Sequence, residues 1–371
     1  MLVNRTTATI RWSGFYPRVT RIMSDAVTNP RSPHAEPLPR SRRRPRWLWL
    51  ALIAGFMVVL GAAGWARPDY YTIEIGPLSL PANSGHGHVE QPHPIAMELP
   101  IDGWIRGLRY ELVDERGIVL PNGMLHHLNL IVPTHRELFS QIMLRIGAAG
   151  PETSPYTLPS FLGYRVRPGD SLLVTAMLHN PTPTGYRGVQ LRVHLAMSPA
   201  TSWLRPLSIK PLYLDVMPPA GGHSFDLPPG RSSKTWEGRP AVAARLLAVG
   251  GHLHEYGTSL RLEDISSGEV IWSARPKLDD RGKVLGMPRR YFLPFGVRLY
   301  PDHVYRLTAE YDNPTGKPLA HGGMGALGGI VLPASGSVWP DVVRNDSVYQ
   351  HDVRVTTGPK SHSHSAPHPT H

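Results

Sequence analysis

Nineteen consecutive residues, 47–65, carry no charge. A helix of that length crosses the hydrocarbon core of a bilayer, and Trp47 and Trp65 mark its two ends. Arg42, Arg43, Arg44 and Arg46 stand directly before it. Basic flanks stay in the cytoplasm, so the pattern predicts a single-pass anchor over residues 47–66. The N-terminus is then cytoplasmic, and the bulk of the chain lies on the periplasmic or extracellular side of the cell membrane. A cleaved signal peptide is the rival reading, because Gly61-Ala62-Ala63 offers small residues. The apolar run is long for one.

The same division explains the charge. The formal net charge is +11, and residues 1–46 hold ten arginines against Asp25 and Glu36. The body is close to neutral, which excludes a globally basic nucleic-acid binder. Residues 1–46 are rich in Arg, Pro, Ser and Thr with little apolar content. They read as a disordered cytoplasmic segment whose true start is Met1 or Met23. Cysteine is absent, so neither a disulfide nor a thiolate metal site is available.

Residues 67–94 read as a connector with a short strand at 71–75 and a His-rich loop carrying His86, His88 and His93. Beyond it, 39 prolines and 36 glycines in the chain disfavour helices and suit many short strands. Residues 108–113, 124–132, 171–180, 212–216 and 304–311 have strand character, and 260–264 with 269–272 read as a hairpin. Val189, Leu191, Val193 and Leu195 alternate with Gln190, Arg192 and His194, as in a half-buried strand. Residues 137–149 show the one helical pattern, through Leu138, Ile142, Met143 and Ile146. The spacing predicts an all-β fold of two β-sandwich domains, 95–208 and 209–356, followed by a His-rich tail, 357–371.

Histidines supply the chemistry. His252 and His254 lie two apart and share a strand face, where two residues span roughly 7 Å and two imidazoles can close on one metal. Gly250, Gly251 and Gly257 let the backbone bend around them. His126 and His127 are adjacent, so in a regular strand they face opposite sides. They need a bulge or strong twist to share one ion. His179 ends an apolar strand on the face of Leu173, Thr175 and Met177. Taken singly, each is more simply a solvated or edge histidine.

Together they form an ordered set. Met124-Leu125-His126-His127-Leu128, then His179, then His252-x-His254, then Tyr311-x-Asn313 and Gly322-Gly323-x-Gly325 follow one another. This order resembles the copper type II, ascorbate-dependent monooxygenases, the family of peptidylglycine α-hydroxylating and dopamine β-monooxygenases. The resemblance implies two tandem jelly-roll domains behind the transmembrane helix, each holding one copper across a cleft. It implies His126, His127 and His179 for the first copper, and His252, His254 and a methionine for the second. It also implies hydroxylation of a small-molecule substrate with O₂ and a reductant, with one copper storing an electron and the other activating oxygen.

Three departures limit it. The family's methionine position falls on Ile330, so Met324 or His321 serves only if the loop takes another path. Gly250 stands where the peptide-hydroxylating members place an arginine, and their disulfide cysteines are missing. These argue against peptide α-amidation. They keep a second class open, an exported copper-binding or ligand-binding protein that retains the fold without the chemistry.

Overall fold

The computed structural model describes Gly55 and residues 68–358, except 86–88, 90, 151–154, 220–223 and 281–283. The basic segment, the expected anchor apart from Gly55, His86, His88 and the His-rich tail beyond 358 lie outside the described residues. Among the described residues, no helix is long and apolar enough to cross a membrane. They fall within one compact unit, Ala54–His371.

The strands in chain order are β1 (Asp69–Leu80), β2 (Ile95–Glu98), β3 (Gly103–Val113), β4 (Leu125–Arg136), β5 (Met143–Ala149), β6 (Tyr156–Thr157), β7 (Leu162–Val166), β8 (Ser171–Leu178) and β9 (Tyr186–Pro199). There follow β10 (Leu207–Ser208), β11 (Lys210–Asp215), β12 (Phe225–Leu227), β13 (Gly230–Gly238), β14 (Ala244–Leu253), β15 (Gly257–Asp264), β16 (Glu269–Ala274), β17 (Lys277–Leu278) and β18 (Val284–Gly286). The last are β19 (Arg290–Tyr291), β20 (Val297–Leu299), β21 (Tyr305–Asn313), β22 (Leu319–Gly323) and β23 (Gly325–Pro333), before the helix α1 (Ser347–Thr357). The fold is mostly β, in several sheets.

Alternation makes the sheets. Along β9, Val189, Leu191, Val193 and Leu195 are fully buried. They meet Leu128 and Leu130 of β4 and Val174 and Leu178 of β8 in one continuous core. Burying each such side chain contributes about 1.5–3 kcal/mol. The polar alternate His194 is only 8 % exposed. It is held by Thr72 Oγ1 at 2.8 Å and Glu111 Oε1 at 3.3 Å.

The strand orders repeat along the chain. A large sheet β1-β9-β3-β7 is answered by β11-β23-β14, with β20 also on β14. A small sheet β2-β8-β4-β5 is answered by β13-β21-β15-β16. Even the turns repeat. After β8, the buried Asn180 amide donates to Leu80 O at 3.1 Å and Thr184 O at 2.8 Å, and accepts from Thr182 N and Oγ1 at 3.1 and 2.7 Å. At the end of β21, Asn313 donates to Leu227 O at 3.4 Å and Lys317 O at 2.9 Å, and accepts from Thr315 N and Oγ1 at 3.1 and 2.7 Å.

The helix predicted over 137–149 is absent. Residues 137–142 form a loop, and Met143–Ala149 is strand β5, paired with β4. A short helix with Gly147 inside it is marginal, whereas the edge of β4 offers a ladder of partners. Glu137 fixes the loop. Its fully buried carboxylate accepts from Arg145 N at 2.8 Å and Tyr213 N of β11 at 3.3 Å. Burial pushes its carboxyl up to about 8, against the opposing pull of those amides and the Arg145 charge.

Helix α1, which the sequence reading did not anticipate, starts at Asp346, whose carboxylate caps Val348 N and Tyr349 N. Tyr349 and Val353 cover Ile131, Met143 and Leu173 on the outer face of the first small sheet. Asp352 accepts from Met143 N at 2.8 Å and pairs with Arg145 at 2.7 Å. Helix α1 thus packs back onto the first small sheet.

Candidate metal centres

The first histidine cluster depends on a register shift. Leu125 pairs with Leu178 and His127 with Met177, so His126 is an extra residue between two regular pairs of β4 and β8. Such a bulge re-aims the side chains around it. His179 follows β8, and its N–H donates to Met124 O at 3.0 Å. That places it beside the start of β4. The His126 and His127 ring centroids are 4.2 Å apart at 77°, and those of His126 and His179 are 5.8 Å apart at 74°. With a metal–nitrogen distance of about 2.0–2.1 Å, rings sharing one ion have centroids roughly 4–6 Å apart.

The cluster is braced from below. Gln91 Nε2 donates to Leu178 O at 2.9 Å and Gln91 Oε1 accepts from Leu178 N at 2.7 Å. Ser84 exchanges backbone bonds with Asn180 at 2.8 Å. The Nδ1 atoms of His126 and His179 are buried. Burial lowers the pKa of His179, which favours the neutral ring that a metal requires.

His252 and His254 sit at the end of β14 with ring centroids 5.4 Å apart at 87°. Leu253 between them points into the core at 2 % exposure. On the neighbouring strand, His252 pairs with Ala326 and Leu253 with Gly325, and His254 N–H donates to Met324 O at 3.2 Å. Directly opposed residues of an antiparallel pair share a face, so Met324 stands on the histidine side. The buried Tyr311 hydroxyl accepts from Met324 N at 3.0 Å and donates to Met324 O. Burial raises the phenol's pKa, so it stays a neutral clamp on this loop.

Ile330 is elsewhere. It pairs with Ala248, four residues along β23 from Ala326, and packs against the core. Four residues of strand are about 13 Å. His321 lies on β22 with a left-handed φ of 53°, its N–H bonded to Asp226 Oδ1 at 2.9 Å.

Arg289 is a neighbour that sequence spacing missed. A Cβ on Gly250 would lie 3.3 Å from Arg289 Cγ, so the arginine stem crosses the bare glycine beside His252. Only the pairing of β19 with β14, Val249 opposite Arg290, brings it there.

The donors fit copper in kind, with three imidazoles at one centre and two imidazoles beside a thioether at the other. Among the described residues, no group of three or more His, Asp or Glu side chains stands in finished ligating geometry. The first cluster is therefore a gathering of rings without completed ligand geometry.

The chain matches no protein-family profile and no curated protein. Among solved structures it is similar to that of Sulfolobus turreted icosahedral virus, at 11 % identity over 72 % of this chain and 60 % of that one, with a TM-score of 0.19. Broad bean stain virus gives 10 % identity over 73 % and 89 %, with a TM-score of 0.28. The VP2 subviral particle of infectious bursal disease virus gives 11 % identity over 75 % of each chain, with a TM-score of 0.24. Scores of this size do not establish a common fold.

Proposed function

We propose that the chain is a membrane-anchored, exported copper protein that hydroxylates a small-molecule substrate with O₂ and a reductant. The observation that carries the reading is the bulge at His126, which gathers His126, His127 and His179 where a regular strand would part them. The repeated sheet orders support a body of two tandem jelly-roll domains, expected over 95–208 and 209–356, although β1 from the expected connector 67–94 also belongs to the first large sheet. The uncharged run 47–65 behind four arginines supports the anchor.

In this reading His126, His127 and His179 hold one copper, and His252, His254 and Met324 hold the other. Copper bound there supplies one-electron redox chemistry for the activation of oxygen. Asn180 and Gln91 orient His179 from the protein side. Tyr311 holds Met324 against His254. The Arg289 stem crosses Gly250 beside His252, and the guanidinium it carries would attract an anionic group of a substrate.

The test is the copper content of the purified full-length protein, the EPR spectrum of its Cu(II) form, and ascorbate-dependent oxygen uptake. Two copper ions per chain with imidazole nitrogen splitting and turnover are expected. Less than one tightly held copper rejects the reading. A reporter fused after residue 75 should be active only outside the cytoplasm, and cytoplasmic activity rejects the anchor.

One observation favours a second reading, copper binding without oxygenation. Ile330, at the position where the resemblance expects a methionine ligand, pairs with Ala248, four residues along β23 from the Ala326 opposite His252. Copper at the first centre without oxygen uptake would select this reading.

A further inference from the structure

Met177 is singled out by neither the histidine pattern nor the resemblance. It pairs directly with His127 across β8 and β4. Opposed residues share a face with Cβ atoms roughly 4.5–5.5 Å apart. Alternation along the strand directs His179, two residues on, to that face as well. The opposite face is the core, where Leu125, Leu128 and Leu178 are fully buried. Met177 is only half-buried, so the core is filled without it.

The repeated architecture shows what such a pair does. In the second small sheet, Ser259 pairs with Glu310 just past a register shift between Gly257 and Ser259. This is the counterpart of His127 opposite Met177, just past the shift between Leu125 and His127. There the two side chains touch, Ser259 Oγ donating to Glu310 Oε2 at 2.6 Å. The next pair along the first sheet also touches, Asn129 Nδ2 donating to Thr175 Oγ1 at 3.4 Å. Methionine is about as long as glutamate and more flexible, so its sulfur reaches the same cross-strand space.

We infer that the Met177 thioether is a fourth donor at the first centre, beside His126, His127 and His179. The inference rests on the reading that those histidines bind copper. The step is coordination alone, a sulfur lone pair onto the ion, with no group oxidised. A soft neutral sulfur favours Cu(I) over Cu(II), so the first centre keeps its electron more firmly than three imidazoles would.

The test uses the full-length chain carrying His252→Ala and His254→Ala, so that only the first centre loads, titrated with Cu(I) against a competing chelator. X-ray absorption should show a sulfur shell beside the imidazoles. Adding Met177→Leu, a volume-conserving swap, should remove that shell and keep about one copper per chain. Cu(I) binding should weaken roughly tenfold with Cu(II) binding unchanged, as expected for loss of one soft ligand. Met324→Leu in the same background should change nothing. Should Met177→Leu fold poorly, selenomethionine labelling asks the same question, because the shell should then become selenium. Copper bound without a sulfur shell overturns the inference and spares the function. A shell that survives Met177→Leu also overturns it. Failure of the three histidines to bind copper at all overturns both.

Discussion

The two small sheets share a backbone and differ in what they carry. Each has a register shift at the start of one central strand, leaving His126 as the extra residue in the first and Thr258 in the second. Each closes its partner strand with an Asn-Pro-Thr turn of the same hydrogen bonds. The residues that correspond to His126, His127 and His179 are Thr258, Ser259 and Asp312. The bulge and the turn therefore belong to the architecture, and the histidines are an addition to it. In the second half the histidine pair stands in another place, the end of β14, where His254 N–H bonds to Met324 O just before β23.

The largest effects should come from the turns. Asn180 and Asn313 are at most 1 % exposed, and each satisfies buried backbone groups. Replacing either by alanine should destabilise by roughly 2–4 kcal/mol in urea unfolding, because several buried partners lose their bonds together. Only Asn180→Ala should also weaken copper at the first centre, since His179 is its neighbour. Equal copper loss in both variants would break the comparison.

His179→Ala comes next. It should remove about one equivalent of copper, measured by metal analysis, and cost less than about 1 kcal/mol, because a half-buried side chain beyond a strand end packs little. Unchanged stoichiometry would mean that the three histidines are structural.

Glu137 tests the tie between the two halves, since it accepts from Arg145 N on one side and Tyr213 N on the other. Its folded-state pKa, about 8, lies above the ordinary 4.5. The native state thus holds the proton more tightly than the unfolded chain. The contribution of Glu137 is fully present below about 4.5 and is lost as pH rises toward about 8. Glu137→Gln should flatten the fall in melting temperature across that window. A fall that persists in the variant assigns it to other groups.

The smallest effect belongs to Ile330→Met. Ile330 is half-buried, packs against the core and lies four residues along β23 from Ala326, so stability should change by about 1.5 kcal/mol or less and Cu(I) affinity should stay the same. Met324→Leu, by contrast, should weaken Cu(I) at the second centre. A tighter site in Ile330→Met would move the ligand position to where the resemblance put it.

Much of this was legible in the chain. Alternation along 189–195, the apolar run 171–178, the Pro and Gly content and the hairpin around Gly268 specify strands, because each of these signals acts locally on its own segment. The histidine spacing names the candidate donors for the same reason. Residues 137–149 went the other way. Their apolar spacing suits a helix, but the free edge of β4 and the buried Glu137 carboxylate outweigh local preference. Three things were decided only by tertiary structure. They are the bulge that lets His126 and His127 cooperate, the register that sets Met324 rather than Ile330 against His254, and the placing of Met177 and Arg289 beside the histidines. Each is a cross-strand relation between segments far apart in sequence. Register depends on which whole faces find a core, and no single segment contains that information.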